Sequence, residues 1–183
     1  MLLNKKRPEI LSVAVIIVFT FFALASINGS IKNSDSASAP AVEEKKPTGV
    51  KMGEVLHTEY FDVTANSMSI KKEIKTGDDF ADLKPEKGVK YVVINATFKN
   101  TDQESRMILD GSLWITYNGK EYEYDNSETF MVEGWGTTLD NLNPLMSKTT
   151  NIVYKLPEEI SGAAQWQPGR ADRSDVIELN DIP

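Results

Sequence analysis

The dipeptide Asn118-Gly119 lies between two alternating runs, SLWITY before it and KEYEYD after it. Asn-Gly suits both left-handed positions of a type I′ turn, whose twist matches that of two antiparallel strands. A two-residue turn also fixes the register. Tyr117 then faces Lys120, Ile115 faces Tyr122 and Leu113 faces Tyr124, so the apolar residues of both strands share one face. Trp114 and Glu123 share the other, with Trp114 in solvent or under a loop. Turn chemistry and apolar alternation agree, and a slip of one residue would turn the whole apolar set outward. Such a hairpin needs a second apolar surface to pack against.

The rest of the chain supplies one. In YVVINATFKN, Val92, Ile94, Ala96 and Phe98 fall on one face, while Tyr91, Asn95, Thr97 and Lys99 fall on the other with Val93 among them. In TTNIVYKLP, Ile152, Tyr154 and Leu156 point inward and Asn151 and Lys155 outward, until Pro157 ends the ladder. EYFDVTANSMSI adds Phe61, Val63 and Ala65, DVIELN adds Ile177 and Leu179, and ESRMILD adds one more short strand. Period-two alternation of this kind marks half-buried strands. No stretch has the period of an amphipathic helix. Lys71 to Gly88 is a charged, turn-rich loop with room for one helical turn near Asp78–Leu83. Trp166 is expected at a sandwich edge, ahead of the last strand. Short strands with turns between them predict an all-β antiparallel sandwich over residues 51–183.

Residues 1–27 are of another kind. Ile10 to Ile27 carries no charge, and its polar residues are Ser12, Thr20 and Ser26. At about 1.5 Å per residue the run makes roughly 27 Å of helix, close to the ~30 Å core of a bilayer. Lys5, Lys6 and Arg7 precede it, which places the C-terminal bulk outside the membrane. The alternative is a signal peptide cut after Ala23-Leu24-Ala25 or Ala37-Ser38-Ala39. Either way the domain is exported, as an anchored or a secreted protein. Residues 28–50, rich in Ser, Ala, Pro and Lys/Glu, cannot form a core and read as a flexible tether.

The order of these pieces resembles a known family. A strand with Phe61 and Val63, then GVKYVVINATFKNTD, the hairpin LWITYNGKEYEYD, and LNP leading into TTNIVYKLPEEI are similar to a bacterial extracytoplasmic family of unknown function. Its sandwich is telokin-like and immunoglobulin-related, and its members are usually lipoproteins or membrane-anchored surface proteins. The resemblance implies an immunoglobulin-like β-sandwich and an exported location, and it carries no catalytic residue. Where the family usually has a Pro-Gly turn, this chain has Pro144-Leu145-Met146. The usual lipobox cysteine is absent, in keeping with an anchor helix.

Composition narrows the chemistry. The chain carries −7 overall, and since residues 1–40 contribute +2, the remainder carries −9. That balance argues against nucleic acid and against binding to an anionic lipid surface. There is no cysteine, hence no disulfide, and a single histidine, His57. Zinc sites draw chiefly on His and Cys, so no metal centre of that kind is expected. No nucleophile-elbow sequence accompanies His57 and no phosphate-binding glycine loop is present, so no catalytic residue or cofactor is assigned. Carboxylate-based hydrolysis stays as an alternative because sandwich folds host many unrelated functions, although acidic residues are so numerous that no pair of them is informative. Asp78, Asp79 and Asp82 in one loop and Asp125, Asn126 and Glu128 in another offer oxygens for calcium, without the spacing of a calcium hand. Asn95-Ala96-Thr97 matches a glycosylation sequon on a strand, where it reads as coincidence.

The expected function is a non-enzymatic, membrane-anchored binding or adaptor module at a bacterial cell surface. The alternative is a secreted, inhibitor-like or immune-exposed protein. The expected partner-binding residues are Phe130, Trp135 and Leu139, within FMVEGWGTTLDNLNP. That segment gathers large apolar side chains around two glycines without a strand period. The partner, a protein or another component of the envelope, is not specified by the sequence.

Overall fold

The computed structural model describes residues 49–125, 127–137 and 141–183. The expected helix over Ile10–Ile27, the tether up to residue 48, and Leu139 lie outside the described residues. Eleven strand segments follow one another: β1 (Val50–Lys51), β2 (Leu56–His57), β3 (Phe61–Lys71), β4 (Val89–Asn100), β5 (Arg106–Met107), β6 (Ser112–Tyr117), β7 (Lys120–Tyr124), β8 (Asn141–Leu142), β9 (Ser147–Pro157), β10 (Ala163–Gln167) and β11 (Ile177–Glu178). One sheet runs β1-β11-β10-β6-β7, a second β2-β3-β4-β9, and β5 pairs with β8. Neighbours are antiparallel except β1 and β11, where Val50 pairs in parallel with Ile177. The domain therefore starts its pairing at Val50, at the last position of the expected tether. No helix occurs among the described residues.

The hairpin of β6 and β7 has the register its turn dictates, Tyr117 with Lys120, Ile115 with Tyr122 and Leu113 with Tyr124. Asn118 and Gly119 both have positive φ, 51° and 72°. The two larger sheets close on one core. Val63, Val92, Ile94, Phe98, Ile152 and Tyr154 from one sheet meet Leu113, Ile115, Trp166 and Ile177 from the other. Phe98 lies edge-on to both Phe61 and Trp166, with centroids 6.1 and 6.0 Å apart. In β3 the inward set changes phase. A bulge between Ala65 and Ser67 moves the pairing on by one residue, so Met68 and Ile70 pack toward the same core as Phe61 and Val63.

One expectation needs correction. Trp166 is not at an edge; it is fully buried in β10, between β6 and β11. Its indole N–H lies 3.0 Å from the Asp110 carbonyl and 3.1 Å from the Tyr154 hydroxyl, which satisfies a polar atom in the centre of the core. The strand AAQWQ has two alanines and two glutamines, weak strand formers, so its alternation is easily overlooked. Near Asp78–Leu83 the loop makes one hydrogen-bonded turn, with the Ala81 N–H on the Asp78 carbonyl at 2.9 Å, and goes no further toward a helix. There Asp side chains compete with helix formation. Asp82 accepts the Thr76 N–H at 2.7 Å and Asp78 accepts the Phe80 N–H at 3.0 Å, so the loop folds on its own carboxylates.

Candidate functional site

The outer face of the β2-β3-β4-β9 sheet divides into a covered half and an open half. Around the covered half, Tyr91, Val93 and Val153 point away from the main core, yet all three are buried. Their cover is built from loops. Residues 72–83 fold back through an Ile74–Leu83 bridge, and Ile74 is completely buried. Residues 127–137 lie as a strip along β9. The Glu128 N–H donates to the Val153 carbonyl at 2.7 Å, Gly136 N–H to Asn151 at 2.7 Å, and Asn151 N–H to Gly134 at 2.9 Å. The Ser127 and Thr137 hydroxyls both donate to the Asp110 carboxylate, which ties the ends of the strip to the loop before β6. The strip thereby covers the edge of β9, which would otherwise present unpaired main-chain groups.

Phe130 is 4% exposed and anchors the strip in a second apolar cluster with Ile74, Tyr91, Val93 and Val153. Trp135 is half-buried, its ring 5.6 Å from that of Phe130. Met131 between them is 86% exposed, and Phe80 on the other covering loop is fully exposed. Of the two expected aromatic contacts, Phe130 thus serves attachment and Trp135 retains an accessible part.

Around the open half two rows of outward side chains are short, polar and uncharged, and the row beyond them holds Asp62, Lys99 and Ser147. Thr64, Thr97 and Thr149 stand in one row across β3, β4 and β9. Beside it, Asn95 pairs with Ser67 on β3 and Asn151 on β9, and Asn66 occupies the bulge. The side chains form a ladder. Asn66 Nδ2 lies 2.9 Å from both Asn95 Oδ1 and Thr97 Oγ1. Asn95 Nδ2 donates to Asn151 Oδ1 at 2.9 Å, and Asn151 Nδ2 to the Gly134 carbonyl at 2.9 Å. Thr97 and Thr149 hydroxyls are 2.8 Å apart. Trp135 pairs in parallel with Asn151, which puts it on this same face, at the border with the covered half. The residue-by-residue alternation of YVVINATFKN places Asn95 and Thr97 outward, but their union with Asn66 depends on the bulge in β3, which no local sequence signal announces. The sequon-like Asn95 is a member of this ladder.

Other candidates are less organised. His57 is exposed on β2, with Nδ1 2.6 Å from Asp62 Oδ1. Glu123, Asp125 and Glu128 line an open hollow of about 410 Å³ with Tyr124 and Lys155. Glu123 and Asp125 are exposed, and Lys155 is paired to Glu86, so the hollow is an open, solvated surface. Among the described residues no group of three or more His, Asp or Glu side chains is placed to hold a metal ion. Trp114 does lie under a loop, with the Arg173 guanidinium 3.7 Å above its ring and held there by Glu121 at 3.1 Å.

Two packed sheets, a second layer made from the domain's own loops and a neutral polar ladder define a β-sandwich domain. The chain belongs to the domain-of-unknown-function family DUF4352, whose profile matches residues 50–165. Its fold is shared with an uncharacterized β-sandwich protein from Clostridium difficile 630, at a TM-score of 0.53 and 18% identity over 78% of this chain and 100% of that one. A conserved hypothetical protein from Bacillus anthracis is similar at a TM-score of 0.49 and 19% identity, over 72% of this chain and 95% of that one. No curated protein matches the chain.

Proposed function

We propose that the chain is a non-enzymatic binding module with an immunoglobulin-like sandwich, held outside a bacterial membrane by a helix over Ile10–Ile27 and presented on the tether of residues 28–50. The observation that carries the binding role is the strip 127–137. It is fixed along β9 by main-chain bonds and by Phe130, and it leaves Met131 and part of Trp135 accessible. An aromatic residue on a rigid support, beside an exposed methionine, has the composition of an interaction hot spot. The location is supported by the charge-free run with Lys5, Lys6 and Arg7 before it. The lack of enzymatic activity is supported by the single histidine and the absence of cysteine.

Cross-linking on intact cells tests the reading. Wild-type chain is expected to capture a specific envelope component that Trp135→Ala, folded to the same melting temperature, no longer captures. An identical partner profile for the two chains would remove the strip as the binding surface.

A further inference from the structure

We infer that the open half of the outer face binds a neutral glycan, with Asn66, Asn95, Asn151, Thr97 and Thr149 bonding its hydroxyls and Trp135 meeting the apolar side of a sugar ring. This rests on the binding-module reading and gives it a ligand class.

The first support is charge. The chain is 26% charged, yet the seven outward positions Thr64, Asn66, Ser67, Asn95, Thr97, Thr149 and Asn151 carry none. An anionic polymer would find no cation in these rows and a net negative domain around them. A cationic one would find no carboxylate in these rows, and Asp62 in the row beyond is engaged by His57 at 2.6 Å and faces Lys99. A hydroxyl-rich, uncharged ligand has no such mismatch.

The second support is the state of the amides. Each Asn side chain has two N–H donors and an acceptor oxygen. Asn66 directs its Nδ2 at Asn95 Oδ1 and Thr97 Oγ1, which fixes its own Oδ1 as an acceptor. Asn95 and Asn151 each direct Nδ2 at one neighbour, Asn151 Oδ1 and the Gly134 carbonyl, and each keeps a second N–H to offer. The row therefore offers one acceptor, on Asn66, followed by two donors, on Asn95 and Asn151. They are oriented before a ligand arrives, which spares rotamer entropy on binding. Sugar hydroxyls both donate and accept, so they match such a row in either direction.

The third support is Trp135, on the same face as Asn151 and next to it across the pairing. An indole offers a flat apolar surface with little entropy to lose, suited to the C–H face of a pyranose. From β3 to the strip the ledge spans three strand spacings, about 14 Å, enough for a short oligosaccharide. A peptide partner would instead seek an open strand edge, and the strip already occupies that of β9.

The test uses the full-length chain in a detergent without a sugar head group. It is titrated with chitohexaose, cellohexaose, maltohexaose and mannohexaose, with heparin as the anionic comparison, and read by tryptophan fluorescence. At least one neutral oligosaccharide is expected to bind in preference to heparin. Asn66→Ala and Thr149→Glu, both at exposed positions, should weaken binding by about tenfold or more at unchanged melting temperature. Trp135→Phe, which keeps an aromatic ring against Phe130, should weaken it less. Absence of binding to every neutral oligosaccharide, preference for heparin, or binding indifferent to both ledge variants would overturn the inference. If the oligosaccharides fail while Trp135-dependent cross-linking on cells persists, the ligand class falls and the binding module stands. If both fail, the binding-module reading falls as well.

Discussion

Leu145 has a φ of 64° in the turn Asn143-Pro144-Leu145-Met146, closed by the Met146 N–H on the Asn143 carbonyl at 3.2 Å. Proline followed by a residue at positive φ is the pattern of a type II turn, in which glycine is preferred at the third position. The resemblance read from the sequence implies Pro-Gly here, and the structure keeps the glycine conformation with a leucine in it. Buried Asn100 explains why the shape is retained. Its carbonyl accepts the Leu145 N–H at 2.9 Å, and its Nδ2 donates to the carbonyls of Glu104 at 2.8 Å and Leu142 at 2.7 Å. A Cβ at such a φ costs about 1–2 kcal/mol, and a side chain 75% exposed recovers little of it by burial. Leu145→Gly is therefore expected to raise stability by about 0.5–1 kcal/mol, after allowing for the greater freedom of glycine in the unfolded chain. Urea unfolding should show a higher midpoint with an unchanged slope. A lower midpoint would mean that the leucine side chain stabilises the turn by packing.

Among the elements, the loop over residues 72–83 is braced by the Asp82 carboxylate beside its Ile74–Leu83 bridge. Asp82 accepts both the backbone N–H and the hydroxyl of Thr76, at 2.7 and 3.1 Å, and Lys75 lies 3.5 Å away. These contacts, the Thr76 backbone bond foremost, hold the Asp82 carboxyl below its ordinary value. A depressed folded value means that the stabilisation is full above the unfolded value, about 3.9, and is lost as pH falls through the folded one. The Thr76 amide resonance is expected to titrate with a midpoint below about 3.9, with the loop loosening over the same range. A midpoint at or above that value would contradict the assigned hydrogen bonds. This loop also shows where the sequence was legible and where it was not. The hairpin of β6 and β7 and the inward sets of β4 and β9 follow from local alternation, because one turn and one pleat decide them. The burial of Tyr91 and Val93 does not, because it is produced by Ile74 and Phe130 arriving from loops far along the chain. The polar ledge is half legible. Asn95 and Thr97 follow from the pleat of β4, whereas Asn66 joins them through a bulge and Trp135 through a single bridge to Asn151. Trp166 was hidden by its alanine and glutamine neighbours, which give a strand little propensity of its own.

Over the whole molecule, the proposed function joins an export segment to a sandwich whose proposed binding rows are uncharged, in a chain of net charge −7. The absence of cysteine from the chain makes the location directly measurable. Lys120, exposed at the end of the Asn118-Gly119 turn and away from the ledge, can be replaced by cysteine to give the protein one thiol. Cells producing Lys120→Cys are treated intact with a small membrane-impermeant maleimide, then fractionated. The label is expected to reach the chain before lysis, and the labelled full-length chain to sediment with membranes. Label that appears only after the cells are broken would contradict a binding domain displayed outside the membrane.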